Sequence, residues 1–151
     1  MDTLFIALKH SHNLLRWFVL LTAVYAVVRH ALGFFGKKAY TTDDGKSSLF
    51  YMIACDVQLL VALALYVVRP QFSMLFTDTK MVMQDANLRF FAVEHNFILI
   101  IAIALVHIGH SRMKKMGDDN SRFKTGFIFF ALSLAIILYG IPWDKALMPG
   151  M

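Results

Sequence analysis

Histidines at positions 12, 30, 95 and 110 have the spacing to ligate a metal from two helices at two depths. A neutral imidazole offers one nitrogen lone pair to a transition metal, and two such groups facing each other at one height are what a bis-histidine haem requires. His12 and His30 lie 18 residues apart, five turns at 3.6 residues per turn, so on a helix they share a face. His95 and His110 are 15 apart, about 60° from alignment on the same count. His107, 12 residues after His95, is about 120° away and fits a common face less well. The pairs that follow are His12 with His95, and His30 with His110. Arg16 and Arg89 adjoin the first pair, Arg29 and Arg112 the second, where guanidinium groups suit the propionates of a haem. His10, two residues ahead of His12, faces the opposite side.

Asp56 brings a second kind of chemistry. It lies in the apolar run LFYMIACDVQLLVALALYVV, residues 49–68, and an ionisable group in such a run is costly enough to mark a functional candidate. His107 reaches a similar depth, so the two can hydrogen-bond, either to orient the imidazole or to relay a proton from a quinone. A protonated Asp56 bonded to a backbone carbonyl is the structural alternative. Glu94 and Arg16 can pair at the opposite edge as a plain salt bridge.

The elements that must position these groups are membrane helices. The 151 residues are 58% hydrophobic and 17% charged, with a mean hydropathy of +0.60, a balance found in membrane proteins. A span needs about 20 apolar residues, and runs at about 14–35, 49–68, 90–110 and 123–141 qualify. The fold expected is all-α: one domain over residues 1–151, an integral membrane four-helix bundle running up-down-up-down. Proline at 70 stops the second run, and PQFSMLFTDTKMVMQDANL, residues 70–88, reads as an amphipathic connection along the interface. The first run is longer than a secretory signal core and lacks a small-residue cleavage site after it, so it is expected to be retained.

Loop charge sets the orientation. Nine of the fifteen Lys and Arg flank the first and third loops, which places those loops in the cytoplasm and both termini outside. Membrane topology accounts for the net charge of +5 without a nucleic-acid partner. His12 and His95 then sit near the outer interface, and His30, His107 and His110 near the inner one.

Several classes are excluded. The single cysteine, Cys55, can form neither an internal disulfide nor a C-x-x-C-H haem attachment, so any haem b, one or two per chain, is non-covalent. There is no glycine-rich phosphate loop, no G-x-S-x-G elbow and no H-E-x-x-H. The chemistry expected is that of an electron carrier or subunit rather than a stand-alone enzyme, exchanging electrons with quinone. The rivals are a cofactor-free accessory subunit of a larger membrane complex and a His/Asp metal or proton site; the partner expected in the bilayer is another membrane protein or further copies of the chain as a homo-oligomer. Histidines and arginines at span ends also occur with no ligand role, because both tolerate the interface.

HSHNLLRW at 10–17, LRFFAVEH at 88–95, IGHSRMKK at 108–115 and GIPW at 140–143 together resemble a group of small four-span membrane proteins of Bacteroidetes-type bacteria labelled cytochrome b-like. The resemblance covers nearly the whole chain. It implies a b-type haem protein of the bacterial inner (cytoplasmic) membrane, with His12, His95 and His110 inside the shared motifs and His30 outside them.

Overall fold

Thr41 opens the second helix by donating from its amide and hydroxyl to Asp44 Oδ2, at 2.8 and 2.7 Å, a local closure that satisfies a helix start. The same carboxylate takes two hydrogen bonds from Arg29, at 2.7 and 2.9 Å, and so ties the first loop to the first helix. The structure, a computed structural model, describes residues 2–145; the C-terminus, expected outside, lies beyond the described residues. Among these every regular element is a helix: α1 (Asp2–Phe35), α2 (Thr42–Val68), α3 (Pro70–Thr77), α4 (Thr79–Gln84), α5 (Ala86–Arg89), a π turn (Phe90–Glu94), α6 (His95–Lys114) and α7 (Asp119–Gly140).

Four helical stretches are long and apolar enough to cross a membrane: Thr3–Phe35, Thr42–Val68, Ala86–Lys114 and Asp119–Gly140. The chain is a multi-pass membrane protein with the up-down-up-down order. Two starts differ from the apolar runs. α1 begins twelve residues before the run at Leu14, and α2 seven before Leu49, because polar residues outside the hydrocarbon extend a helix as readily as apolar ones do. The 70–88 connection is broken into three pieces by aspartates. Asp78 accepts from the Met81 amide at 3.1 Å and Asp85 from the Leu88 amide at 2.8 Å, each restarting a short helix.

The helices pack in the ring order α2, α1, α7, α6, and the ring closes weakly, since α2 and α6 touch far less than the other neighbours. Small residues bring the backbones close. Ala23, Ala26 and Ala102 are fully buried, and a side chain at Gly33 or Gly126 would fall on Phe123 or on the His30 ring. One polar chain crosses the core. Tyr51 donates to Ser133 at 2.9 Å, and Ser133 donates to the Ala102 carbonyl at 2.8 Å, so three spans share a satisfied hydrogen-bond path. Large apolar residues such as Leu21, Leu60 and Phe97 face outward, as a lipid-facing surface demands.

Candidate functional site

The π turn before α6 leaves carbonyls without their usual partners, and Asn96 donates to the Phe91 carbonyl at 2.9 Å. Such turns re-aim the residues that follow. Here the next residue is His95, which hydrogen-bonds through Nδ1 to the carbonyl of Gly140, at 2.8 Å. A carbonyl can only accept, so Nδ1 carries the proton and Nε2 keeps its lone pair. A Cβ at Gly140 would press on the end of the Leu99 side chain at 2.9 Å.

His12 comes to the same level from α1. The two rings lie 6.3 Å apart between centres, their planes at 66°. Gln58 on α2 donates to the His12 carbonyl at 3.1 Å and sits 3.0 and 3.3 Å from its two ring nitrogens. Gln58 Oε1 is buried and has no hydrogen-bond partner, an arrangement that ordinarily calls for a missing ligand or water.

Both imidazoles line a cavity of about 320 Å³, the size of a small-molecule site. Along α2 its wall runs from Cys55 to Arg69, 14 residues or about 21 Å of helix. Its deeper part is apolar, with Val19, Leu99, Ile103 and Ile137; its mouth carries Lys9, Arg16, Arg69 and Lys145. No Asp or Glu is among the described residues that line it. Arg16 is buried. Burial pushes the Arg69 guanidinium down from its ordinary value, and its charged group stacks 4.8 Å from the Phe91 ring centre. A cavity that is apolar below and fourfold cationic above suits an amphipathic anion.

The sequence placed Arg89 here, and the structure corrects this. Arg89 donates to Glu94 at 2.6 Å and to the Met83 carbonyl at 2.9 Å, so Glu94 takes Arg89 rather than the expected Arg16. Arg69 lines the cavity in its place. Its position after the last residue of α2, at the same end as Arg16, was the available signal.

The second histidine pair has a different setting. His30 is wholly buried and packs edge-on against Phe123 and Phe130 at 5.8 and 5.1 Å. Its nitrogens meet the Ala26 carbonyl at 2.8 Å and the Met113 sulfur at 3.1 Å. His110 hydrogen-bonds through Nδ1 to Ser48 at 2.9 Å, while that hydroxyl also reaches the Gly45 carbonyl at 2.8 Å. As packed, His30 Nε2 faces the Met113 sulfur and the ring is walled by aromatic side chains, so a metal could reach that nitrogen only by displacing Met113. Tyr40, whose hydroxyl donates to the same Met113 sulfur at 3.4 Å, is pushed up to about 12 by burial.

Asp56 and His107 meet as the sequence suggested, with Oδ1 2.7 Å from Nε2. Their side chains are 43% and 44% exposed. Among the described residues no three His, Cys, Asp or Glu side chains converge on a metal position; a bis-histidine haem needs two. No family model, curated protein or solved structure matches the chain.

Proposed function

We propose that the chain is a b-type haem protein of the bacterial inner membrane, an electron carrier that exchanges electrons with the quinone pool, with His12 and His95 as the axial ligands of one haem near the periplasmic face. The observation that carries this reading is the 6.3 Å between the His12 and His95 ring centres across a cavity with a cationic mouth. Metal–nitrogen bonds of about 2 Å set each ring centre roughly 3 Å from the metal, so two axial imidazoles lie about 6 Å apart. The residues fit the group in two further respects. His95 has its tautomer fixed by Gly140, and Lys9, Arg16, Arg69 and Lys145 supply counter-charge for two propionates. Bound there, haem supplies a one-electron iron couple. The protein's part is to hold the macrocycle, neutralise its carboxylates and keep water from the apolar floor. The likeness to cytochrome b-like four-span proteins points the same way.

His30 and His110 are assigned a structural role, joining the first loop, α1 and α6. The test is a pyridine haemochrome spectrum of the purified protein, expected to show b-type haem at about one per chain. A colourless protein would return the chain to the reading of a cofactor-free subunit.

A further inference from the structure

The Asp56–His107 pair lies where a membrane protein seldom leaves charge. Asp56 lies seven residues into the apolar run 49–68, and His107 lies three residues before the end of the run 90–110, about 10 and 5 Å from the inner ends of those runs, so the pair sits in the inner part of the hydrocarbon. Both side chains are more than two-fifths exposed, on the seam where α2 and α6 touch least. Exposed neighbours on these helices include Ile53, Val57 and Leu60 on α2 and Ile101 and Ile108 on α6, with exposed Ser111 one turn beyond His107 toward the inner end. An ionisable pair inside an apolar run lacks the solvation that bulk water would give it.

Its chemistry defines what would. Hydrocarbon disfavours net charge, and a pair that shares one proton between Oδ1 and Nε2 is neutral as a unit. His107 Nδ1–H is then left as a donor and the second oxygen of Asp56 as an acceptor, on whichever side the shared proton rests. The matching ligand has a hydroxyl that both donates and accepts, on a body soluble in the bilayer. The cavity is one turn away. Cys55 and Ile103 line its floor, Asp56 follows Cys55 directly, and His107 lies four residues after Ile103.

We infer that the seam between α2 and α6 binds the ring of a lipid-soluble quinol, with one hydroxyl on Asp56 and His107, beside the floor of the His12–His95 cavity. Quinol is the class of choice because an electron carrier in the bilayer requires a redox partner that diffuses there, and to this extent the inference rests on the proposed function. Binding itself needs no haem.

A short-chain azido-quinone, reduced to its quinol and photolysed with the wild-type protein in lipid nanodiscs, tests the site. Label is expected within 49–63 and 100–113, displaced by excess decyl-quinol but not by phospholipid. Asp56→Ala and His107→Ala should each lower labelling at least tenfold, with Asp56→Asn intermediate, while haem content and thermal midpoint hold. Undiminished labelling in both alanine variants would overturn the site. So would a wild-type dimer that the same substitutions convert to monomer without any labelling, which would make the pair a contact between copies. Haem without labelling sinks the quinol site alone; labelling without haem sinks the haem reading alone.

Discussion

His95 has one ring nitrogen committed to the Gly140 carbonyl and keeps the other for a metal, whereas the Gln58 amide nitrogen lies within 3.3 Å of both His12 ring nitrogens and must turn aside for either to ligate. His12→Ala or His95→Ala should abolish haem binding, whereas His10→Ala, outside the cavity lining, should keep it; equal losses in all three, read by haemochrome, would remove the assignment. The arginines make a sharper contrast. Arg69→Ala removes a cavity cation and is expected to weaken haem retention about tenfold or more, in line with a charge-assisted hydrogen bond of about 1.5–3 kcal/mol, while Arg89→Ala breaks the pair with Glu94 and the hydrogen bond to the Met83 carbonyl, both outside the cavity lining. Apo-protein titrated with haemin gives both affinities, and a larger loss for Arg89 would sink the arrangement. Periodicity was enough to bring His12 and His95 together and to join His107 to Asp56, because depth along straight helices is arithmetic. It could not separate Arg69 from Arg89. Which of the two turns into the cavity depends on the path of the 70–88 connection, and that path is set by the aspartate caps at 78 and 85. Nor could it see that Met113 and the Ala26 carbonyl would meet both nitrogens of His30, since a thioether contact has no sequence period.

Elements are held to one another here by small residues and by a few directed hydrogen bonds, because lipid gives helices no hydrophobic reason to associate. The Tyr51–Ser133–Ala102 path is the clearest case, and its two members are not equivalent. Ser133→Ala leaves the fully buried Tyr51 hydroxyl without an acceptor and is expected to cost about 1–3 kcal/mol. Tyr51→Phe leaves Ser133 still donating to Ala102, and should cost about 1 kcal/mol or less. Unfolding in mixed micelles would rank them, and the reverse order would show that Ser133 finds its main partner elsewhere. Gly126→Leu is expected to be worse than either, since its first added atom already falls on the His30 ring, and overpacking of this kind costs about 1–3 kcal/mol or more. The four spans and their alternation were legible in the apolar runs. The helix starts were not, because capping residues such as Thr41 and Asp118 stand well outside the hydrocarbon, where hydropathy carries no signal.

At the scale of the whole molecule the cations fall unevenly between the two ends, and each end has its own reason for them. Nine of the fifteen flank the first and third loops, and membrane insertion retains such loops in the cytoplasm. The other six, Lys9, Arg16, Arg69, Lys80, Arg89 and Lys145, stand at the end that the same rule would keep poor in positive charge. Four of those six line the mouth of one cavity, so the excess at this end is concentrated where an anionic ligand would need it rather than spread along the interface. That concentration allows orientation and ligand binding to be tested independently. A reporter fused after Lys115 should read as cytoplasmic and one fused after Met151 as periplasmic. Changing Arg69 and Lys145 together to glutamine should leave both readings unchanged while lowering haem retention, because removing cations from the cation-poorer end only strengthens the asymmetry. Changing Lys37, Lys38, Lys114 and Lys115 to glutamine leaves five cations at one end against six at the other, and should yield molecules of mixed orientation. A single, unaltered orientation in that variant would mean that something other than loop charge sets the topology, and the assignment of the cavity to the periplasmic face would lose its footing.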